Sequence, residues 1–188
     1  MNEIKTLRNK TEHSLLAKIF HWGFVIFFGY GIYKQIDNIN QLEDISLLKS
    51  EIIFALAFLL LLGVRFLYMT KTQKTALPSE TSKTHKLAAK VVHWSMYICL
   101  AGIAGSGLLI GFFFWLGLKE GLLIEFTISI HEFFVSLIYW LILIHILAAL
   151  YHRFRKDNVW SSMVPFWKEN KNSIKIINCI LVVKNTFL

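Results

Sequence analysis

The stretch FTISIHEFFVSLIYWLILIHILAALY, residues 126–151, decides the fold. It is apolar over more than the ~18 residues a helix needs to cross a hydrocarbon core of roughly 30 Å. His131 and His145 lie near its two ends, 14 residues apart. That is about four helical turns, so both imidazoles leave one face of a helix about 21 Å apart. A neutral imidazole inside hydrocarbon is costly without a partner, and a histidine there points to function. Haem iron is the candidate partner, because it takes histidine axially and buries its macrocycle among apolar side chains.

Composition agrees with a membrane setting. The chain has 188 residues, 55% of them hydrophobic, with 16 Phe, 6 Trp and only 2 Pro. Such a chain is too apolar for an ordinary soluble domain. The alternation of a transmembrane barrel is absent, so helices are the spanning elements and the fold class is all-α. The formal net charge of +8 sits beside the apolar runs. Membrane orientation accounts for it better than nucleic acid, which is not expected as a partner. Cys99 lies in an apolar run and Cys179 in the C-terminal tail, so neither a disulfide nor a zinc site is argued. No cleavage site follows the first apolar run, which is expected to be retained.

Four spans are expected, at about 15–33, 51–70, 87–110 and 126–151. Residues 1–14 form a polar N-terminus, residues 15–156 a transmembrane haem-binding domain, and residues 157–188 a tail. The third apolar run continues to Leu118, too long for one untilted crossing, so its helix is expected to end near Ile110 with residues 111–118 at the interface. Pro78 and the Ser/Thr residues around it mark a break between spans two and three. Basic residues collect before span one (Lys5, Arg8, Lys10), between spans two and three (Lys71, Lys74, Lys83, Lys86, Lys90) and after span four (Arg153, Arg155, Lys156). The positive-inside rule then puts both termini in the cytoplasm. His21, His93 and His145 fall toward the cytoplasmic side and His131 toward the outer side. The end of the tail, Lys168–Leu188, whose apolar stretch is only Ile176–Val183, is too short to span and reads as interfacial or disordered.

His13–Trp22 and His85–Trp94 share a ten-residue frame at an offset of 72. The frame records either a duplicated helix entrance or the common needs of one: a snorkelling Lys, an interfacial Trp and an inward His. His13, His85 and His152 sit among charged residues and need no special account. Arg65, a charge late in span two, either snorkels to the interface or pairs a haem propionate. Gly102, Gly105, Gly107 and Gly111 fit close helix packing. Gly29 and Gly102 also stay as positions that make room for a macrocycle.

These residues resemble the bacterial cytochrome b561 family and the related b-type cytochrome subunits of nickel hydrogenases. The resemblance rests on His21-Trp22, on Leu-Leu-Gly-Val-Arg65 closing span two, and on His93 opening span three. It rests further on His131-Glu132, Leu143-Ile-His145, Ala148-Ala-Leu-Tyr-His152 and Lys156-Asp-Asn158 around span four. It implies a four-helix bundle with two b haems, one near each face, exchanging electrons with the quinone pool. Carried over by position, His21 and His145 are the axial pair of the cytoplasmic-side haem, and His131 is one ligand of the outer haem. The family's other outer ligand is a histidine in span two, and this sequence has none. Counting back from Arg65 gives Glu51, with Lys49 close by. Three arrangements stay open: no outer haem, an outer haem on His131 alone or with Lys49, or a ligand from another subunit. His93 competes with His21 at the same depth and is assigned to a propionate or quinone neighbourhood.

The sequence therefore reads as a multi-pass b-type cytochrome of the bacterial inner membrane, a respiratory electron carrier. Haem b and ubiquinone are the implied cofactors, membrane lipid and a redox partner subunit the implied partners, with a homodimer left open. The alternatives are a haem-free anchor subunit of a dehydrogenase or hydrogenase, or a superoxide:quinone oxidoreductase if the outer haem is present. A small transporter is disfavoured, because no span carries a mid-depth acidic residue to couple ions.

Overall fold

The computed structural model describes residues 13–36, 38–72, 77, 81–157 and 159–164. The expectations for the N-terminus up to residue 12 and for the tail beyond residue 164 lie outside the described residues. Four long helices follow one another: α1 (Leu15–Tyr33), α2 (Ile45–Thr72), α3 (Lys83–Trp115) and α4 (Leu122–Arg155). A 3-10 turn, Ile39–Glu43, precedes α2, and a short helix, α5 (Val159–Met163), follows α4. No strand occurs among the described residues. All four long helices are apolar and long enough to cross a membrane. Large side chains such as Ile26, Leu60 and Leu122 stand exposed at 72%, 71% and 83%, as lipid-facing residues do.

Local chemistry sets the helix ends. Ser14 caps α1 by accepting from Ala17 N at 3.1 Å, and Ser82 caps α3 by accepting from His85 N at 3.3 Å, the usual role of an N-cap hydroxyl. The Asp44 carboxylate accepts Ser46 N at 2.8 Å at the start of α2, and that bond holds its pKa below the ordinary value. α3 continues past Ile110, where the sequence suggested an end. It stops at Trp115 in a paired closure: Gly117 N donates to Phe114 O at 3.0 Å and Leu118 N to Phe113 O at 2.9 Å. Gly117, at φ +79°, supplies the left-handed turn this closure requires. The extra turn is held because Ile110, Gly111 and Phe114 are buried there. α2 and α4 likewise run past the expected spans, to 28 and 34 residues.

Neighbours pack antiparallel. Lys34 Nζ lies 2.9 Å from Glu51 Oε1, joining the end of α1 to the start of α2, while Ser14 Oγ meets Tyr68 Oη at 2.9 Å at the other end. Phe27 stacks on Phe54 at 4.8 Å and Phe24 meets Phe58 at 5.0 Å between the two helices. The main core joins all four helices through Phe24, Phe58, Leu62, Cys99, Leu100, Ala104 and Ile138. A second core of Leu42, Leu48, Ile110, Phe114 and Ile124 closes the end opposite Lys71, Lys86, Lys90, Arg153 and Arg155, whose end is the basic end of the bundle. α1 packs on α2, α2 on α3 and α3 on α4, but no Cα of α1 comes within 8 Å of a Cα of α4 among the described residues. The bundle is thus open along one seam.

Asp157 and α5, at the start of the expected tail, pack against the bundle. Asp157 Oδ2 sits 2.7 Å from His152 Nδ1, its Oδ1 accepts from Val159 N, and α5 turns back over the basic end. Trp22 Nε1 donates to Met163 O at 3.2 Å, and Arg153 lies 5.2 Å over the Trp160 ring. α5 therefore bridges α1 and α4 at the one end of the seam where a bridge exists.

Candidate haem site

Three helices each carry one histidine to the basic end of the seam. The His145 ring centre lies 6.4 Å from that of His21, with 56° between planes, and 5.2 Å from that of His93 at 86°. His93 Nδ1 lies 2.6 Å from Ala89 O one turn earlier. A carbonyl only accepts, so Nδ1 of His93 carries a proton, and in the neutral ring Nε2 is the acceptor.

Arg65 of α2 forms the remaining side. Its Nη1 donates to Tyr97 Oη at 2.8 Å, and its Nη2 lies 3.1 Å from His21 Nδ1. Guanidinium has donors only, so His21 Nδ1 accepts and the His21 proton sits on Nε2. The cation lies 5.5 Å over the Phe24 ring and 5.3 Å over the Tyr97 ring. Its Nε is buried without a hydrogen bond, and none of the ion pairs among the described residues includes it. A cation in this position is completed by an anion.

These residues fit a bis-histidine haem. Metal–imidazole distances of about 2.0–2.1 Å place two opposed ring centres roughly 6.3–6.5 Å apart. The His21–His145 separation of 6.4 Å falls in that range, whereas His93–His145, at 5.2 Å, is too short to admit a metal. α1 and α4, which carry the two rings, stay apart, with no Cα of one within 8 Å of a Cα of the other among the described residues, and α5 touches both at this end. Arg65 supplies a cation for a carboxylate at the rim. No group of three or more His, Cys, Asp or Glu gathers as a metal site among the described residues; an axial pair needs only two.

The other sequence-expected residues lie elsewhere. His131 packs on α3, with its Nδ1 3.0 Å from Ser106 Oγ. The Ser106 hydroxyl already donates to Gly102 O at 2.6 Å, so it accepts from His131 Nδ1–H. No second imidazole stands at that end, because the other six of the seven histidines fall at or near the basic end. Glu51 is paired to Lys34. Lys49 lines a separate cavity of about 740 Å³ with Leu48, Ile52, Phe112, Trp115 and Lys119, and His131 is not part of its wall. The space over Gly102 is taken by the Phe134 ring, 2.6 Å from where a Cβ would stand, whereas Gly29 faces open space.

Sequence reading missed Tyr97, Ser106 and α5. Tyr97 had a signal: it follows His93 by four residues and so shares its helix face. α5 had a weaker one in the Asp157–His152 spacing.

Comparison with curated proteins and with solved structures finds no match. The family model described as prokaryotic cytochrome b561 matches residues 12–166, which takes in all four long helices and both ends of the seam, and the chain belongs to that family.

Proposed function

We propose that this membrane b-type cytochrome holds one haem b at the basic end of its seam, with His21 and His145 as axial ligands, and passes single electrons to or from the quinone pool, ubiquinone included. The observation that carries the reading is the 6.4 Å separation of the two rings, borne on two helices whose backbones stay apart. Bound there, a b haem would take up and release one electron at a time. The protein's part is to fix the two imidazoles, to shield the site with Phe24, whose ring lies 5.5 Å from the Arg65 cation, and to meet a haem carboxylate with Arg65. A carboxylate is a better partner for guanidinium than an imidazole nitrogen. Arg65 would then release His21 Nδ1, which can take the ring proton and leave Nε2 for iron. The positive-inside rule supports placing the basic end and both termini in the cytoplasm, with the bacterial inner membrane as the site of action.

The test is a reduced-minus-oxidised spectrum of the purified protein with His21→Ala and His145→Ala. A b-type α-band is expected in the wild type and should be lost from His145→Ala and largely lost from His21→Ala. A wild-type protein without that band would point instead to a haem-free anchor subunit for a dehydrogenase or hydrogenase.

A further inference from the structure

The third histidine of the cluster is left over by a two-ligand site. It stands too close to His145 for a metal to sit between them, yet its ring is oriented by a bond of its own. With Nδ1–H given to Ala89 O at 2.6 Å, His93 presents a bare Nε2. A histidine that binds metal through one nitrogen carries a proton on the other, and that N–H is usually given to an acceptor which orients the ring and raises its basicity. His145 lacks such an acceptor elsewhere: no hydrogen bond among the described residues ends on either of its ring nitrogens. Arg65 cannot serve, being a donor only, and His21 lies across the gap that the metal needs. The ring that remains is His93, 5.2 Å from His145 between centres. The two rings stand at 86° in an edge contact with no hydrogen bond between them, close enough that a turn of either ring could bring an N–H of one to a nitrogen of the other.

We propose that His93 is the positioning residue of His145: its Nε2 accepts the Nδ1–H of His145, which leaves His145 Nε2 turned across the seam toward His21. With that bond made, a relay would run from the Ala89 carbonyl through both imidazoles, each proton in it having one donor and one acceptor. It gives α3 a part in the site without supplying a ligand, and it accounts for the third histidine. The inference rests on the haem reading above and extends it.

The experiment measures the midpoint potential, the low-spin ferric signal by electron paramagnetic resonance and the rate of haem loss to an apoprotein acceptor. It compares the wild type with His93→Leu, His93→Gln and His21→Ala. His93→Leu should keep a bis-histidine low-spin signal while its potential rises, because a less basic ligand favours ferric iron less. Its haem should dissociate faster, by roughly the 10–100-fold that loss of such a partner costs. His93→Gln, whose amide oxygen can accept the same N–H, should recover much of both effects. Should His93→Leu fail to fold, His93→Met set against His93→Gln makes the same comparison. An unchanged potential in the leucine or methionine variant overturns the proposal. So does loss of the low-spin signal there together with its survival in His21→Ala, which would make His93 the ligand. Absence of haem from the wild type would instead overturn the cytochrome site itself.

Discussion

Arg65 is a cation inside a span, and its neighbours answer to that charge. Two aromatic faces, a phenol oxygen and an imidazole nitrogen surround it, all of them acceptors or electron-rich surfaces. The Tyr97 hydroxyl makes the shortest of the polar contacts, at 2.8 Å. Removing it in Tyr97→Phe should destabilise the protein by about 1.5–3 kcal/mol, the usual range for a bond to a charged group, as read by thermal unfolding in detergent. Haem retention should fall with it, since the guanidinium that meets the carboxylate is no longer held. A Tyr97→Phe protein as stable as the wild type would show that the rings alone fix Arg65. Arg65 and the three histidines were legible in the sequence because polar groups stand out in apolar runs. Tyr97 was not, because an aromatic residue in a span is unremarkable until its hydroxyl is seen to have a partner. Ranking His21 above His93 as the ligand rests on resemblance in the sequence, and the proposal made above adds the spacing of 6.4 Å against 5.2 Å.

The helices differ in how closely they approach. α1 and α2 are held apart by stacked phenylalanines, while α3 and α4 meet backbone to side chain. Cys99 Sγ lies 3.0 Å from Phe134 O, and Phe134 lies flat over Gly102. Four spans, their order and the first helix's limits could be read from hydropathy. The far ends could not, because residues 111–118 are as apolar as a lipid interface requires and also as a protein core requires. Only the packing of Gly111 on Ile52 and the closure at Gly117 show that α3 continues. Gly102 is where the α3–α4 approach is tested. A methyl group there would stand 2.6 Å from the Phe134 ring, well inside contact distance. Gly102→Ala should therefore cost about 1–3 kcal/mol, the scale of overpacking a core. Combining it with Phe134→Leu should recover part of that loss, a coupling expected only of residues in contact. Additive losses in the double variant would mean that the ring moves aside freely.

Across the whole molecule the two ends of the bundle are built differently. The basic end gathers His21, His93, His145 and Arg65 around an open seam. The far end is closed by Leu42, Leu48, Ile110, Phe114 and Ile124, Glu51, one of its acidic residues, is paired to Lys34, and its one histidine is bonded to Ser106. The 14-residue repeat of histidines in α4, which on sequence alone suggests two equal sites, therefore faces two unequal surroundings. His131 keeps a chemically competent ring but no imidazole opposite it. The chain is expected to bind one haem. Pyridine haemochrome against protein mass should give one haem per chain, and a redox titration should fit a single one-electron wave. His131→Ala should leave the count near one, and His145→Ala should bring it near zero. The geometry has a further consequence for electron flow. With one station near one face, and a second helical storey about 21 Å away without a cofactor, reconstituted vesicles should reduce the haem rapidly from the basic face and only slowly from the other. A count of two, with half the haem lost from His131→Ala, would show that the far end opens to admit a second macrocycle and that a ligand other than histidine completes it.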